Sequence, residues 1–152
     1  MKKIGLCLIV KNEAHVILRC LNSVKPLIDY VLISDTGSTD GTQDVIKNWL
    51  RENSILGEVF DDEWINFSHN RSLALSKMRE NRDIDYSLMI DADEVLVFDS
   101  SFNSIEFKSN LHHDIYNVLS HLGGVVYPRP QLISNRKNFR YEGVVHEFLA
   151  MD

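Results

Sequence analysis

The sequence predicts an α/β domain with a mostly parallel central sheet flanked by helices. Short apolar runs alternate with segments of helical spacing up to about residue 90, as in strands joined by crossover helices. The first run, residues 4–10, is apolar throughout, which is typical of a strand covered on both faces. With 152 residues, of which 44% are hydrophobic, the chain is long enough for a single domain with its own core.

Each element follows from the spacing of its apolar residues. Ile17, Leu21 and Val24 repeat at helical spacing, so a helix is expected over residues 14–24, ending before Pro26. The same criteria predict further strands at residues 30–33, 58–60 and 86–90, with helices around residues 45–50 and over 67–78.

The pattern changes beyond residue 91. A stripe at helical spacing that stops before two glycines predicts another helix, made by Leu111, Ile115, Val118, Leu119 and Leu122. Residues 125–133 are strand-like, residues 135–138 predict a turn, and residues 139–146 are extended. The chain ends at Asp152 without a closing element, so we expect one domain over residues 1–152 that is a fragment or a minimal form of a longer protein.

Composition excludes several classes of protein. The net charge of −6 argues against a nucleic-acid binder, because phosphate neutralisation requires clustered Lys and Arg. No apolar run approaches the ~20 residues of a membrane span, and no signal-peptide cleavage site follows the first run. A cytoplasmic protein is therefore expected, with attachment to a membrane through a partner left open. Cys7 and Cys20 are expected to be buried hydrophobes, although a disulfide between them stays open.

Polar clusters follow three of the predicted strands, at residues 11–13, 35–40 and 91–94. Because ligands bind outside the carboxyl ends of parallel strands, these clusters are expected to meet at one edge and to form a binding site. Each cluster also has a structural explanation, since Asn12 and Asp40 are both suited to capping a helix.

Asp91-Ala92-Asp93 is the feature with the most specific chemistry. Two carboxylates just past a buried strand can share a hard cation such as Mg²⁺ or Mn²⁺, which would neutralise a diphosphate leaving group. An EF-hand is excluded because residues 95–97 are apolar where that loop needs ligands. The chain also lacks the phosphate-binding P-loop and the dinucleotide glycine fingerprint, which disfavours NTPases and NAD-dependent enzymes.

Five motifs together resemble one family, although none is specific alone. They are CLIVKNE at 7–13, DTGSTDGT at 35–42, WINFSHNR at 64–71, DADE at 91–94 and YEGVVHE at 141–147. In this combination and order the chain is similar to the family 2 glycosyltransferases of the GT-A fold. The likeness is greatest to the bacterial and viral subgroup often linked to tetratricopeptide repeats. Catalytic domains of that family are longer than this chain, so the resemblance implies a domain truncated at its C-terminus.

The resemblance implies a role for individual residues. The implied nucleotide-sugar site consists of Lys11, Asn12, Glu13, Asp35, Asn70, Arg71, Asp91 and Ala92. Asp91 and Asp93 would hold Mn²⁺ or Mg²⁺, and Asp35 would hydrogen-bond the base. His146 would be a third metal ligand or a diphosphate contact, while Arg71 would bind phosphate or form a surface salt bridge. Asp40 is expected to be structural.

An inverting transfer also needs a base that takes the proton of the acceptor hydroxyl. Glu147 is the candidate and Glu94 is the competitor. Aromatic side chains at Trp64, Phe67 and Tyr141 either stack on sugars and bases or belong to the core, with core favoured for Phe67.

The sequence therefore predicts a metal-dependent inverting glycosyltransferase. Its partners are expected to be a nucleotide-sugar donor, with UDP-sugar favoured, and a glycan, lipid or protein acceptor. Further domains or a homo-oligomer are compatible with this prediction. Two alternatives stay open: a non-catalytic module that binds a nucleotide sugar or glycan, and a nucleotidyltransferase. The second ranks last because a glycine- and basic-rich loop is missing after the first strand.

Overall fold

The computed structural model describes residues 1–143 and 148–151. Four helices and eight strands are present in that part of the chain. The helices are α1 (Ile17–Val24), α2 (Thr42–Glu52), α3 (Phe67–Glu80) and α4 (Ser104–Ser109). The strands are β1 (Ile4–Val10), β2 (Tyr30–Asp35), β3 (Leu56–Asp61), β4 (Tyr86–Met89), β5 (Ile115–Leu122), β6 (Val125–Ser134), β7 (Phe139–Glu142) and β8 (Phe148–Met151).

Six of these strands form the central sheet, in the order β3-β2-β1-β4-β6-β5. The four strands from β3 to β4 are mutually parallel, whereas β6 and β5 are antiparallel to their neighbours. The mostly parallel sheet predicted from the sequence is thus confirmed. After β3 the chain returns to the other side of β1, so the strand order reverses between β1 and β4, and ligands bind at such a reversal.

The core lies on both faces of the sheet. On one face, alternate residues of β1, from Ile4 to Val10, pack with the buried sides of α1 and α2. On the other face, Cys7 packs with Ala74 and Met78 of α3 and with Phe139 of β7. A side chain buried on each face explains why β1 reads as a continuous apolar run.

The helix predicted over residues 111–122 is wrong. Residues Ile115–Leu122 form β5, which pairs with β6 through a two-residue turn at Gly123 and Gly124. Both glycines have positive φ, of 54° and 83°, the conformation required by the tight turns that match strand twist. The apolar spacing fits a helix, but the Gly-Gly pair is a hairpin turn rather than a helix cap.

The small sheet of β7 and β8 is attached to α3 by hydrogen bonds from side chains to backbone. Ser72 Oγ accepts from Tyr141 N at 2.8 Å and donates to Tyr141 O at 3.1 Å. Ser68 Oγ donates to Gly143 O, and Arg79 donates to Phe139 O at 2.9 Å. Three polar side chains of one helix thus fix the edge of a strand that follows it by 59 residues or more.

A buried lysine connects α4 to the end of the central sheet at which β1 and β2 begin. Lys108 is 6% exposed, and its Nζ lies 2.9 Å from Asp29 Oδ2. The same carboxylate oxygen accepts from the backbone N–H of Ile4, at the start of β1. This pair fixes α4 against the first central strand.

We expect Lys108→Ala to lower the free energy of unfolding by about 1–3 kcal/mol, because Asp29 then keeps a half-buried charge without its cation. Lys47 is an exposed lysine on α2, so Lys47→Ala is the matched control, with an expected change within about 0.5 kcal/mol. Urea unfolding of both variants measures the difference. Equal stabilities would show that the pair contributes nothing.

Candidate functional site

The three polar clusters meet at the carboxyl edge of the sheet, as predicted. Asp35 ends β2 and is buried, and its Oδ1 accepts from the backbone N–H groups of Gly37 at 2.8 Å and Ser38 at 2.7 Å. Its other oxygen, Oδ2, is buried and has no hydrogen-bond partner among residues 1–143 and 148–151. A buried unpaired carboxylate oxygen is costly for folding, which is typical of a site that a ligand donor completes.

The loop after β1 is joined to the loop after β2. Asn12 Oδ1 accepts from Thr39 N at 2.7 Å, and Asn12 N donates to Ser38 Oγ at 2.9 Å. Asn12 has φ of 54°, in the left-handed region that asparagine tolerates better than most residues. Lys11 beside it is exposed. The side chain of Asn12 therefore connects the two loops.

Asp40 has the structural role expected of it. Its carboxylate accepts from Thr42 N and from Ala14 N, both at 3.1 Å, and so joins α2 to the loop after β1. The hydrogen bond from the Thr42 hydroxyl is the main reason that the pKa of Asp40 is lowered. Thr42 Oγ1 in turn accepts from Glu13 N at 2.9 Å, which fixes Glu13 at the rim of the site.

Residues 91–94 form a tight turn directly after β4. Glu94 N donates to Asp91 O at 3.0 Å, and Asp91 N donates to Glu94 Oε1 at 2.8 Å. The other oxygen of Glu94 accepts from Arg129 of β6 at 2.5 Å. Asp91 Oδ1 pairs with Arg71 of α3 at 3.0 Å. The turn is thus held from both sides by guanidinium groups, while the side chain of Asp93 is exposed.

A cavity of about 250 Å³ opens beside this turn, where the strand order reverses between β1 and β4. It lies on the face of the sheet that α3 and β7 cover. Its lining consists of Cys7, Ile9, Arg71, Met89, Ile90, Asp91, Glu94, Arg129, Pro130, Gln131, Tyr141 and Leu149. Two cations and two carboxylates therefore line a cavity that is otherwise largely apolar.

Asn70 and Arg71 were both expected to line the pocket, but only one of these two neighbouring residues does so. Arg71 lines the cavity, as expected, but Asn70 is fully buried and does not line it. The amide of Asn70 accepts from Ile65 N and Asn66 N and donates to Glu63 O. Asn70 therefore shapes the loop between β3 and α3 instead of facing the cavity.

Phe67 is not in the core, contrary to the prediction. It is 52% exposed and packs edge-on against Trp64, which is 43% exposed. Phe67 is in the same helical row as Ala74 and Met78, which are buried. It stays uncovered because α3 begins at the carboxyl edge, where the strands beneath the helix end.

Acidic groups crowd the rim of the site. The pKa of Glu13 is raised, first by burial and then by the negative charges of Asp93, Asp40 and Asp91, with His15 acting in the opposite direction. Inside the cavity, burial raises the pKa of Cys7 and of Tyr141 to about 12, so both stay protonated at neutral pH. Four carboxylates, of Glu13, Asp40, Asp91 and Asp93, therefore lie close enough for their negative charges to act on one another.

Sequence reasoning missed Arg129, which contributes a positive charge to this site. Arg129 is located in β6 between Pro128 and Pro130, and its Nε donates to Ser120 Oγ of β5 at 2.7 Å. Pro130 and Gln131, which follow Arg129 along the strand, line the cavity as well. The sequence holds no local signal for Arg129, because its partner Glu94 lies 35 residues away along the chain.

The comparison with protein families identifies the chain. A model described as "Glycosyl transferase family 2" matches residues 6–143. The chain belongs to glycosyl transferase family 2. The matched range includes four of the five motifs that carried the resemblance and the first part of the fifth.

Curated relatives of this family 2 domain agree with the match. A TPR repeat-containing protein of Synechococcus elongatus is 30% identical over 98% of this chain, which is consistent with the expected likeness to transferases linked to tetratricopeptide repeats. An uncharacterized glycosyltransferase of Rickettsia prowazekii is 38% identical over 63% of the chain. The chain spans only about a third of these relatives, 36% and 30% of their lengths.

A solved structure shows the same fold. Residues 1–349 of TarS from S. aureus match 70% of this chain and 30% of that chain, with a TM-score of 0.51 and 18% identity. With the family match, this confirms the expected GT-A fold of a glycosyltransferase domain. No helix within residues 1–143 and 148–151 is long and apolar enough to cross a membrane.

Two of the predicted site residues fall outside this description. His146 and Glu147 lie between the two described ranges, so their roles stay predictions. The structure does describe the residues on either side: Gly143, whose carbonyl oxygen is bound by Ser68, and Leu149, which lines the cavity. The attachment of β7 to α3 therefore places Tyr141, the first residue of this family motif, in the lining of the cavity.

We expect Ser72→Ala to loosen β7, because Tyr141 loses a hydrogen-bond donor and an acceptor at once. Hydrogen exchange at the amide of Tyr141 should become at least several times faster. The matched control is Ser76→Ala on the same helix, since Ser76 Oγ donates only within α3, to Leu73 O. If both variants exchange at the same rate, α3 does not hold β7 in place through Ser72.

Proposed function

We propose that this domain transfers a sugar from a nucleoside-diphosphate donor to a hydroxyl acceptor, with inversion at the anomeric carbon. The observation that carries the proposal is the cavity beside the turn of residues 91–94, where Arg71 and Arg129 accompany Asp91. Guanidinium groups are well suited to phosphate oxygens, and the cavity leaves room beside them for a sugar.

The base of the donor is proposed to bind at Asp35. Asp35 Oδ2 is a buried acceptor that lacks a donor within the described chain, and a base N–H group would supply one. Lys11 and Glu13 follow the neighbouring strand β1 and are proposed to line the nucleoside from the side. Uridine is the favoured base, by the resemblance of the motifs.

A divalent cation, Mn²⁺ or Mg²⁺, is proposed to bind through the carboxylates of Asp91 and Asp93, with Ala92 between them in the turn. The residues present fit such an ion, because carboxylate oxygens are its preferred ligands and this turn carries two carboxylates separated by one residue. Within residues 1–143 and 148–151, no three His, Cys, Asp or Glu side chains converge on a metal position, so phosphate oxygens and water would complete the shell. When bound, the ion would stabilise negative charge on the departing diphosphate.

The base that deprotonates the acceptor is proposed to be Glu147. Its competitor Glu94 uses one carboxylate oxygen for Asp91 N and the other for Arg129, so its side chain is held in the turn by both bonds. We assign Glu94 to positioning the turn instead. His146 is proposed to contact the diphosphate or the cation. The acceptor is proposed to be a hydroxyl of a glycan, a lipid or a protein.

Binding of nucleotides tests the proposal directly. With Mn²⁺ and a nucleoside diphosphate at 100 times its Kd, we expect about 2.7 kcal/mol of stabilisation, or a Tm higher by roughly 5–10 °C. Asp91→Asn and Asp93→Asn should abolish the metal-dependent part of this shift. The control is Asp99→Asn, an exposed aspartate outside the turn, which should keep the full shift.

Turnover separates the proposal from its alternative. Release of nucleoside diphosphate from a nucleotide sugar by the wild-type chain, lost in Asp93→Asn, would support a transferase. Binding without any turnover would favour a non-catalytic module that binds nucleotide sugars. A folded chain whose Tm no nucleotide changes, with or without Mn²⁺, would refute the proposed site.

A further inference from the structure

Two large aromatic side chains are exposed where the loop after β3 leads into α3. Trp64 and Phe67, hereafter the aromatic pair, have ring centroids 4.8 Å apart and ring planes at 82°. Trp64 is 43% and Phe67 52% exposed, and neither is among the residues that line the cavity. Exposed apolar surface of this kind gains nothing for folding and often marks a binding site.

The backbone that carries the aromatic pair is held in place. Asn70 is fully buried, and its amide bonds Ile65 N at 3.0 Å, Asn66 N at 3.2 Å and Glu63 O at 2.9 Å. Asn66 also caps α3, accepting from His69 N at 2.8 Å. A buried amide therefore fixes the loop on both sides of Trp64, which lowers the entropy lost when a ligand binds there.

The aromatic pair lies between the two ends of the proposed donor site. At one end, Asp62 N donates to Asp35 O at 2.8 Å, so the loop that leads to Trp64 starts against Asp35. At the other end, the guanidinium of Arg71 lies 5.1 Å from the centroid of Phe67 and pairs with Asp91. A continuous row of contacts thus connects the loop beside the base site to the phosphate site.

The base at Asp35 needs a flat apolar surface, because hydrogen bonds along its edge leave both of its faces in water. The three polar clusters, residues 11–13, 35–40 and 91–94, contain no Phe, Tyr or Trp. We infer that the nucleobase of the donor stacks on the aromatic pair, chiefly on Trp64. This inference rests on the proposed function and assigns its nucleotide subsite a specific stacking surface.

Tryptophan fluorescence tests the inference, since the chain has only two tryptophans and Trp49 is buried and bonded to Asn22. UDP, in the presence of Mn²⁺, should quench the emission of the wild-type chain, and inorganic diphosphate should not. In Trp64→Phe, where Trp49 alone emits, UDP should leave the emission unchanged. GDP, CDP and ADP are titrated alongside UDP, because stacking does not depend on the identity of the base.

Affinities measured by calorimetry make the test quantitative. Trp64→Leu keeps the apolar bulk but removes the ring, so UDP should bind about 5- to 150-fold more weakly, the range for one base–aromatic stack. The affinity for inorganic diphosphate should not change, and Trp64→Phe should recover part of the loss. Ile105→Ala, which alters an exposed apolar residue of α4, is the control and should bind UDP as the wild type does.

The possible outcomes distinguish the proposed stacking surface from the proposed transferase function on which it rests. If Trp64→Leu binds every nucleotide with wild-type affinity, the stacking surface is refuted while the transferase proposal stands. Equal weakening of UDP and diphosphate would also refute it, because the effect would then be general damage to the site. If the folded wild-type chain binds no nucleoside diphosphate at all, both proposals fail.

Discussion

The burial of β1 on both faces is the constraint on which the rest of the structure depends. Its two neighbours, β2 and β4, pair with it in parallel and in fixed register, so Val10 lies opposite Asp35. Because parallel strands point the same way, that register brings the loops after all three strands to one edge. The loops that carry the proposed nucleotide-binding side chains are thus brought together by an apolar strand that contributes none of those side chains itself.

Short polar side chains then convert this edge into a site with defined geometry. Asn12 and Asp40 join the loops after β1 and β2, while Asn70 fixes the loop before α3 and Ser72 fixes β7 against that helix. The side chains of Asp40, Asn70 and Ser72 each make more than one hydrogen bond, and the side-chain bond of Asn12 is joined by one from its backbone N–H to Ser38 Oγ. Loops held in this way lose little entropy on binding, which is the condition for a preformed site.

The sequence predicted what depends on local pattern and missed what depends on distant partners. The four parallel strands and three of the helices were predicted because burial on one or both faces leaves a period in the sequence. The strand β5 was predicted as a helix because its leucines and valines also fit helical spacing, and only the Gly-Gly turn distinguished the two. Phe67 was placed in the core because aromatic side chains between strands are more often buried than bound to a ligand, and nothing local shows that the sheet ends beneath it.

The same distinction applies to the candidate site. Asp35, Asp91 and Asp93 were selected from their positions after apolar runs, and the structure gathers them at one edge. Arg129 and Ser72 could not be selected, since their contacts join segments 35 and 69 residues apart along the chain. Tertiary contacts of this kind leave no period in the sequence, so the residues that position the site are harder to predict than those with the reactive groups.

The pairing of charges in the cavity also limits how a ligand can enter. Arg71 and Asp91 satisfy each other at 3.0 Å, and so an anion that draws Arg71 away leaves Asp91 without that cation. Removing a charge from its partner in a partly buried site is costly, unless a new partner arrives at the same time. Under the proposed function the phosphates take Arg71 while a cation takes Asp91, so each favours the binding of the other. Thermodynamic linkage makes that effect reciprocal, and it follows from a single ion pair between α3 and the turn after β4.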